Sequence, residues 1–366
     1  MADDEKKEEF EMEYRMLGAT GLKVSVLGLG TMSFTSTEQA MELMSAVRGY
    51  GVNFFDNAEF YGNPCGLADK YFGDALKKLQ AKDKKLWRRS DLVITTKLFF
   101  GTSGGDQPNS FSRYWGPNEL GLSRKHLMEG MNESLERLQL DYVDVVYAHW
   151  IDDLTPMEEI VRGFNDIIQS GKAFYWGTSN WTAQKITEAY WVAKINKLMP
   201  PVVEQPNYNM LTRDRIEKDL VPMYAEPYRY ATTVWGPLHA GVLTGKYLKG
   251  IPKDSRIGGN SHLSGFWGKN TVTEEKNKKV EKLMEIAKEM GVSMVALALG
   301  WTIKNKNVTV CLLGGSKASQ LEQNKDGVTA AKKLNADLMK RIDEILDNKP
   351  NLGWKMRNVK NLTNPQ

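Results

Sequence analysis

An aspartate, a tyrosine, a lysine and a histidine stand where apolar, strand-like runs end. Asp56 closes Val52-Asn-Phe-Phe-Asp56 and Tyr61 follows it closely. Lys97 closes Leu92-Val-Ile-Thr-Thr-Lys97, and His149 closes Val143-Asp-Val-Val-Tyr-Ala-His149. If these strands lie side by side in a parallel sheet, the four groups gather at one rim. An acid, a phenol, an ammonium and an imidazole gathered there can move a proton onto an oxygen, as carbonyl reduction requires. Tyr61 would donate the proton, although a phenol of pKa about 10 is a sluggish acid near neutrality. Lys97 would stabilise the phenolate and lower that pKa, and Asp56 would hold Lys97 charged and in place. His149 would orient or polarise the carbonyl in a water-poor pocket. Singly, each residue has an ordinary reading: a surface tyrosine, a solvated lysine, a packed histidine. Together, after successive strands of one repeating pattern, they point to a site.

The elements that must position these groups follow an alternating order. Strand-like runs fall near residues 24–30, 52–56, 92–97, 143–148, 173–178, 202–205, 231–235 and 308–313, each followed by a helix-like segment. Eight such units predict an α/β fold, a closed (β/α)8 TIM barrel, rather than an open sheet. The strands are mostly continuous apolar runs, as expected when helices cover one face and packed side chains fill the other. Ser36-Thr-Glu-Gln39 and Thr155-Pro-Met-Glu158 fit capping boxes, the second with proline at the first helical position. Residues 100–118 form a long loop after the third strand, 236–273 a longer excursion after the seventh, and 334–346 an extra helix beyond the barrel. Loops in those places build the active-site face of a barrel. The expected division is a disordered acidic tail over 1–15, the barrel over 16–350 and a C-terminal tail over 351–366.

Bulk properties exclude several classes. A net charge of +4 on 366 residues, with no basic block interleaved with aromatics, argues against nucleic acid. Cys65 and Cys311 make no disulfide framework, and no Cys/His spacing suits a metal site. No apolar run approaches the ~20 residues that would cross a bilayer, so direct membrane insertion is not expected. The charged N-terminus reads as neither signal nor transit peptide, and the expected location is the cytoplasm.

Several phrases together resemble the aldo-keto reductases. They are Leu17-Gly-Ala-Thr-Gly-Leu-Lys-Val-Ser25, Leu27-Gly-Leu-Gly-Thr31, Phe55-Asp-Asn-Ala-Glu-Phe-Tyr61, Ile94-Thr-Thr-Lys97 and Asp141-Tyr-Val-Asp-Val-Val146. Trp87-Arg-Arg-Ser90, Gly121-Leu-Ser-Arg-Lys-His126, Ser134-Leu-Glu-Arg-Leu-Gln-Leu140, Thr155-Pro-Met-Glu-Glu159 and Tyr175-Trp-Gly-Thr-Ser179 are most similar to the potassium-channel β-subunit branch. The likeness runs roughly from Met16 to Pro350.

The resemblance implies NADP(H) as the hydride carrier and a small carbonyl as substrate. It assigns Ser179, Asn180 and Gln205 to the nicotinamide carboxamide and Trp235 to its ring. Gly236, Pro237, Leu238 and Gly241 would line the pyrophosphate, with Lys246 and Arg256 on the phosphates. Gly314, Ser316, Gln320, Gln323 and Asn324 would hold the adenosine end, and Thr31 and Met32 join the cofactor set. Such loops suit phosphate, because backbone N–H groups and guanidinium bind it well. Gly28-Leu-Gly30-Thr-Met-Ser33 lacks the third glycine of a dinucleotide fingerprint and reads as a turn near the substrate pocket. Against the branch, His149 replaces the asparagine of animal channel subunits, Asn180 an arginine, Asp254 a tyrosine and Gln323 a glutamate. The histidine favours a catalyst over a sensor. A homo-oligomer and a channel partner are the assemblies that the resemblance brings with it.

Overall fold

The computed structural model describes residues 10–102, 116–253, 255, 257–258 and 271–352. Arg256, Asp254 and parts of the 100–118 and 236–273 stretches lie outside those residues, as do 1–9 and 353–366.

Eight parallel strands close a barrel: β3 (Leu27–Gly30), β4 (Phe54–Asp56), β5 (Val93–Leu98), β6 (Val143–Ala148), β7 (Ala173–Ser179), β8 (Val203–Gln205), β9 (Ala231–Val234) and β10 (Val310–Leu313). The chain is therefore the (β/α)8 barrel that the alternation predicts. Neighbours pair in chain order and β10 returns to β3. That order brings consecutive strand ends side by side, with Asp56 opposite Thr95 and Lys97 opposite Tyr147. Inside, Phe54, Val93, Val145, Tyr147, Val203 and Val310 pack against one another. The outward faces of the strands meet α1 (Thr37–Arg48), α2 (Leu67–Lys82), α3 (Arg124–Leu138), α4 (Met157–Gln169) and α5 (Ala183–Ile195). Phe164 of α4 stacks on Trp176 of β7 with ring centroids 4.7 Å apart. Each large side chain so buried contributes about 1.5–3 kcal/mol.

An antiparallel hairpin, β1 (Tyr14–Met16) and β2 (Lys23–Ser25), closes the end where the strands begin. The sequence pattern predicts one strand over 24–30 and a charged tail over 1–15. Instead Val26 separates the two strands, Met12 is buried, and the Tyr14 hydroxyl donates to Gly51 O at 2.7 Å. Leu17, in the hairpin turn, is wholly buried in the inner core.

The cap predictions divide. Ser36 accepts from Gln39 N at 3.1 Å as expected, but the Gln39 side chain returns to Thr35 N, one residue early. Thr155 caps nothing, because its hydroxyl donates to Asp152 Oδ2 at 2.7 Å, and Pro156 takes the N-cap position of α4. The helix expected after β8 is short and irregular: a five-residue π-helix, Arg215–Asp219, followed by the 3-10 helix Val221–Tyr224, with Pro222 in its first turn, where a missing N–H is tolerated. The extra helix is present as Ala336–Leu346, capped by Asn335. No single helix among the described residues is long and apolar enough to cross a membrane.

Candidate active site

The four residues picked from strand ends come together at one rim of the barrel. Lys97, wholly buried, donates from Nζ to Asp56 Oδ2 at 2.6 Å, to Asn57 O at 2.8 Å and to the Tyr61 hydroxyl at 2.9 Å. Asp56 Oδ1 also accepts from Thr95 Oγ1 and from Gln205 Nε2, each at 2.9 Å. A buried carboxylate is tolerated only when bonded in this way. The His149 ring lies edge-on to Tyr61 with centroids 5.8 Å apart, and its buried Nδ1 has no hydrogen-bond partner among the described residues.

Electrostatics set the protonation states. Burial disfavours the Lys97 ammonium, but Asp56 and Tyr61 outweigh it and raise its pKa above the ordinary value. Burial raises the Tyr61 pKa, and Lys97 pulls it down only partway. This corrects the expectation that Lys97 would lower the phenol overall: sealing the hydroxyl from water outweighs the nearby charge. Tyr61 is thus a neutral phenol holding its proton. Burial first and Lys97 second push His149 well below the usual histidine range, so its imidazole is neutral.

Beside this group the carboxamide candidates form a chain of contacts. Asn180 Nδ2 donates to Ser179 Oγ at 3.2 Å, Ser179 Oγ to Gln205 O at 2.9 Å, and Trp235 Nε1 to Asn180 Oδ1 at 3.4 Å. Thr31 is buried beside them, bonded through N and Oγ1 to Asp56 O, while Met32 is half-buried. Gly236, Leu238 and Gly241 are half-buried and Pro237 is buried, in the loop after β9. Gly241 has φ +96°, and a Cβ there would stand 2.5 Å from Lys246 Cε, so the loop needs glycine at that point. Lys246 is exposed, with Nζ 4.9 Å from the centre of the Tyr247 ring. On the far side Ser33 Oγ donates to Gly315 O, and Ser316 N to Gln320 Oε1. Gly314, Ser316, Gln320 and Gln323 are exposed and Asn324 is buried. An indole flanked by amides, running out to glycine loops and a lysine, fits a nicotinamide dinucleotide in its donor chemistry.

Two residues missed from the sequence hold this arrangement. Glu204, wholly buried, accepts from Thr178 Oγ1 at 2.5 Å and Trp181 N at 3.0 Å, fixing the turn in which Asn180 takes φ +59°. Burial pushes its carboxyl up to about 7. Glu59 accepts from Phe99 N at 2.6 Å and Gly101 N at 2.8 Å. The available signal was an acid inside an apolar run, Val203-Glu-Gln205 and Ala58-Glu-Phe60.

The sequence profile of the Aldo/keto reductase family matches residues 26–347. The chain belongs to that family. Within the family it is similar to a probable voltage-gated potassium channel subunit beta of Oryza sativa, 42% identical over 93% of this chain and 98% of the relative. A probable subunit beta of Arabidopsis thaliana is 41% identical over 93% and 98% of the two chains. A putative subunit beta of Schizosaccharomyces pombe is 43% identical over 92% and 94%. This aldo/keto reductase chain therefore carries Asp56, Tyr61, Lys97 and His149 together on a barrel of that family.

Proposed function

We propose that this chain reduces aldehydes or ketones to alcohols, with Tyr61 as the proton donor and NADPH as the cofactor. The observation that carries the reading is the buried Lys97 ammonium, shared between Asp56 at 2.6 Å and the Tyr61 hydroxyl at 2.9 Å. The bound cofactor supplies the hydride. The protein does the rest. A carbonyl oxygen brought to the Tyr61 hydroxyl gains negative charge as it is reduced and takes the phenolic proton. Lys97 then faces a phenolate, a pairing that its position stabilises. His149, held neutral by burial and by Lys97, donates a hydrogen bond to the same oxygen and aligns it. Ser179, Asn180 and Gln205 would hold the carboxamide and Trp235 the ring. Gly236, Pro237, Leu238, Gly241 and Lys246 would hold the pyrophosphate side, and Gly314, Ser316, Gln320, Gln323 and Asn324 the adenosine side.

NADPH absorbance followed against a panel of aldehydes and ketones tests this. Turnover of at least one carbonyl is expected, and Tyr61→Phe should lower it by at least ~10²-fold with NADPH binding kept. No turnover across the panel, or near-normal turnover in the mutant, would overturn the assignment.

A second reading takes the channel subunit from the relatives' names and adds to it, as our own proposal, bound NADP(H) acting as a redox sensor. The rate of NADP⁺ release separates the two. Release comparable to single-turnover hydride transfer supports the enzyme, and release far slower than that step, holding steady-state turnover down, supports the sensor.

A further inference from the structure

We propose that Glu59 is a positioning residue that fixes Phe100 as a wall of the carbonyl pocket and thereby tunes the site toward flat, aromatic carbonyls. This rests on the reductase reading and deepens it. Glu59 is 1% exposed, and a carboxylate placed there must be bonded or it destabilises the fold. Its Oε1 takes the N–H groups of Phe99 and Gly101, the residues on either side of Phe100, and His126 Nε2 of α3 lies 3.3 Å away. Two charge-assisted bonds astride one residue leave its backbone little freedom. Glu59 N in turn donates to Lys97 O at 3.2 Å, so the clamp is tied to the strand that carries the ammonium.

The geometry around the clamp gives it a purpose beyond stability. The Phe100 ring lies 4.9 Å from Phe60, 5.2 Å from His149 and 6.4 Å from Trp150 by ring centroids. Phe60 lies between Glu59 and Tyr61 in sequence, so one short segment carries the proton donor, one aromatic wall and the clamp on the other wall. Rings of this kind hold a flat aromatic guest by offset and edge contacts. On the outer side, a Cβ on Gly130 of α3 would stand 2.9 Å from Glu59 Oε2. The helix therefore comes this close to the carboxylate only with glycine at that position.

The test uses the protein saturated with NADPH. Glu59→Gln keeps the volume and one acceptor oxygen but loses the charge. Benzaldehyde should show a KM raised about tenfold with kcat changed less than about threefold, while propanal is affected less than twofold. Backbone exchange at Phe99 and Gly101 should accelerate. Phe100→Ala should lose the same selectivity, and adding Glu59→Gln to it should cause no further loss. Gly130→Ala, which pushes the carboxylate from behind, should reproduce the effect if Glu59→Gln folds poorly. Unchanged selectivity in Glu59→Gln and Gly130→Ala, or additive losses in the double mutant, would overturn the proposal. If wild type reduces no carbonyl, the reductase reading falls. Exchange at Phe99 and Gly101 then judges the clamp alone, and unchanged protection sinks it.

Discussion

Two buried ion pairs lie at opposite ends of the same barrel, and they are used differently. At the closed end Arg89 pairs with Asp144 at 2.9 Å, donates to Leu92 O and Tyr142 O, and lies 4.1 Å over the Tyr142 ring. Asp144 also accepts from Ile94 N at 2.8 Å. Every one of these contacts joins the charges to backbone or to packing surface, so the pair locks one strand end against the next. At the open end Lys97 makes a similar pair with Asp56, but one of its bonds goes to a phenol. A charge whose last contact is a group able to release a proton is arranged for chemistry. One whose contacts are backbone, carboxylate and the face of a packed ring is arranged for folding.

The sharpest way to break this comparison is to remove each cation. Lys97→Met should lower kcat/KM by about 10³-fold or more, since both the phenolate and the developing oxyanion lose their stabiliser. Arg89→Met should instead cost roughly 2–3 kcal/mol of unfolding free energy, somewhat under the value for a fully buried pair, because Arg89 is 19% exposed. Its activity per folded molecule should stay near wild type. Denaturant titrations and steady-state kinetics on both proteins decide it, and a matching profile for the two would erase the distinction.

His149→Asn comes next. Hydride transfer in a single turnover should slow by roughly 10- to 10³-fold, with NADPH affinity little changed. The imidazole is held neutral, so the wild-type rate should stay level as pH falls through the ordinary histidine value of about 6.5. A loss of rate centred there would mean that His149 titrates normally. Equal decay in mutant and wild type would make it a packing residue.

Cofactor choice is expected to respond less. Lys246→Ala should weaken NADPH binding by about 3- to 10-fold and NADH binding less, as for loss of one exposed phosphate contact. Arg256→Ala tests the same expectation for the 2′-phosphate. Equal loss of both cofactors would assign these residues to the pyrophosphate or to the fold.

The smallest effect concerns Glu204. Its folded pKa, about 7, lies above the usual 4.5, so the native state keeps this proton when the unfolded chain has lost it. Stability on its account is greatest below about pH 4.5 and is lost as pH rises to about 7. Glu204→Gln should therefore narrow the fall in Tm between pH 5 and pH 8 by a few degrees. An unchanged slope would mean that Glu204 ionises without cost.

The barrel was legible because each strand is an apolar run and each functional group ends one: Asp56, Lys97 and His149 could be placed by period and position alone. What could not be read depends on contacts made across the chain. Glu59 gives no hint in sequence that it will meet Phe99 and Gly101, 40 and 42 residues on. Thr155 has the right spacing for a cap, yet Asp152 three residues earlier takes its hydroxyl. The direction of the Tyr61 pKa turned on the depth of burial, which the order of residues does not give. Tyr14 and Lys23 belong to three-residue strands too short to show a period.

The hairpin beneath the barrel has a consequence for proton traffic. Gly18 in its turn has φ +58° and is pressed so tightly against the segments that lead into β8 and β9 that a Cβ would stand 2.9 Å from Val202 O and 2.7 Å from Arg229 O. With Leu17 and Val24 filling the floor, the barrel is a cup rather than a tube. Lys97, wholly buried, has two of its bonds directed at Asp56 and Asn57, and only the third leads toward the mouth, through the Tyr61 hydroxyl. Among these bonds the one to the phenol is the link toward bulk water, so Lys97 should take up deuterium far more slowly than an exposed lysine.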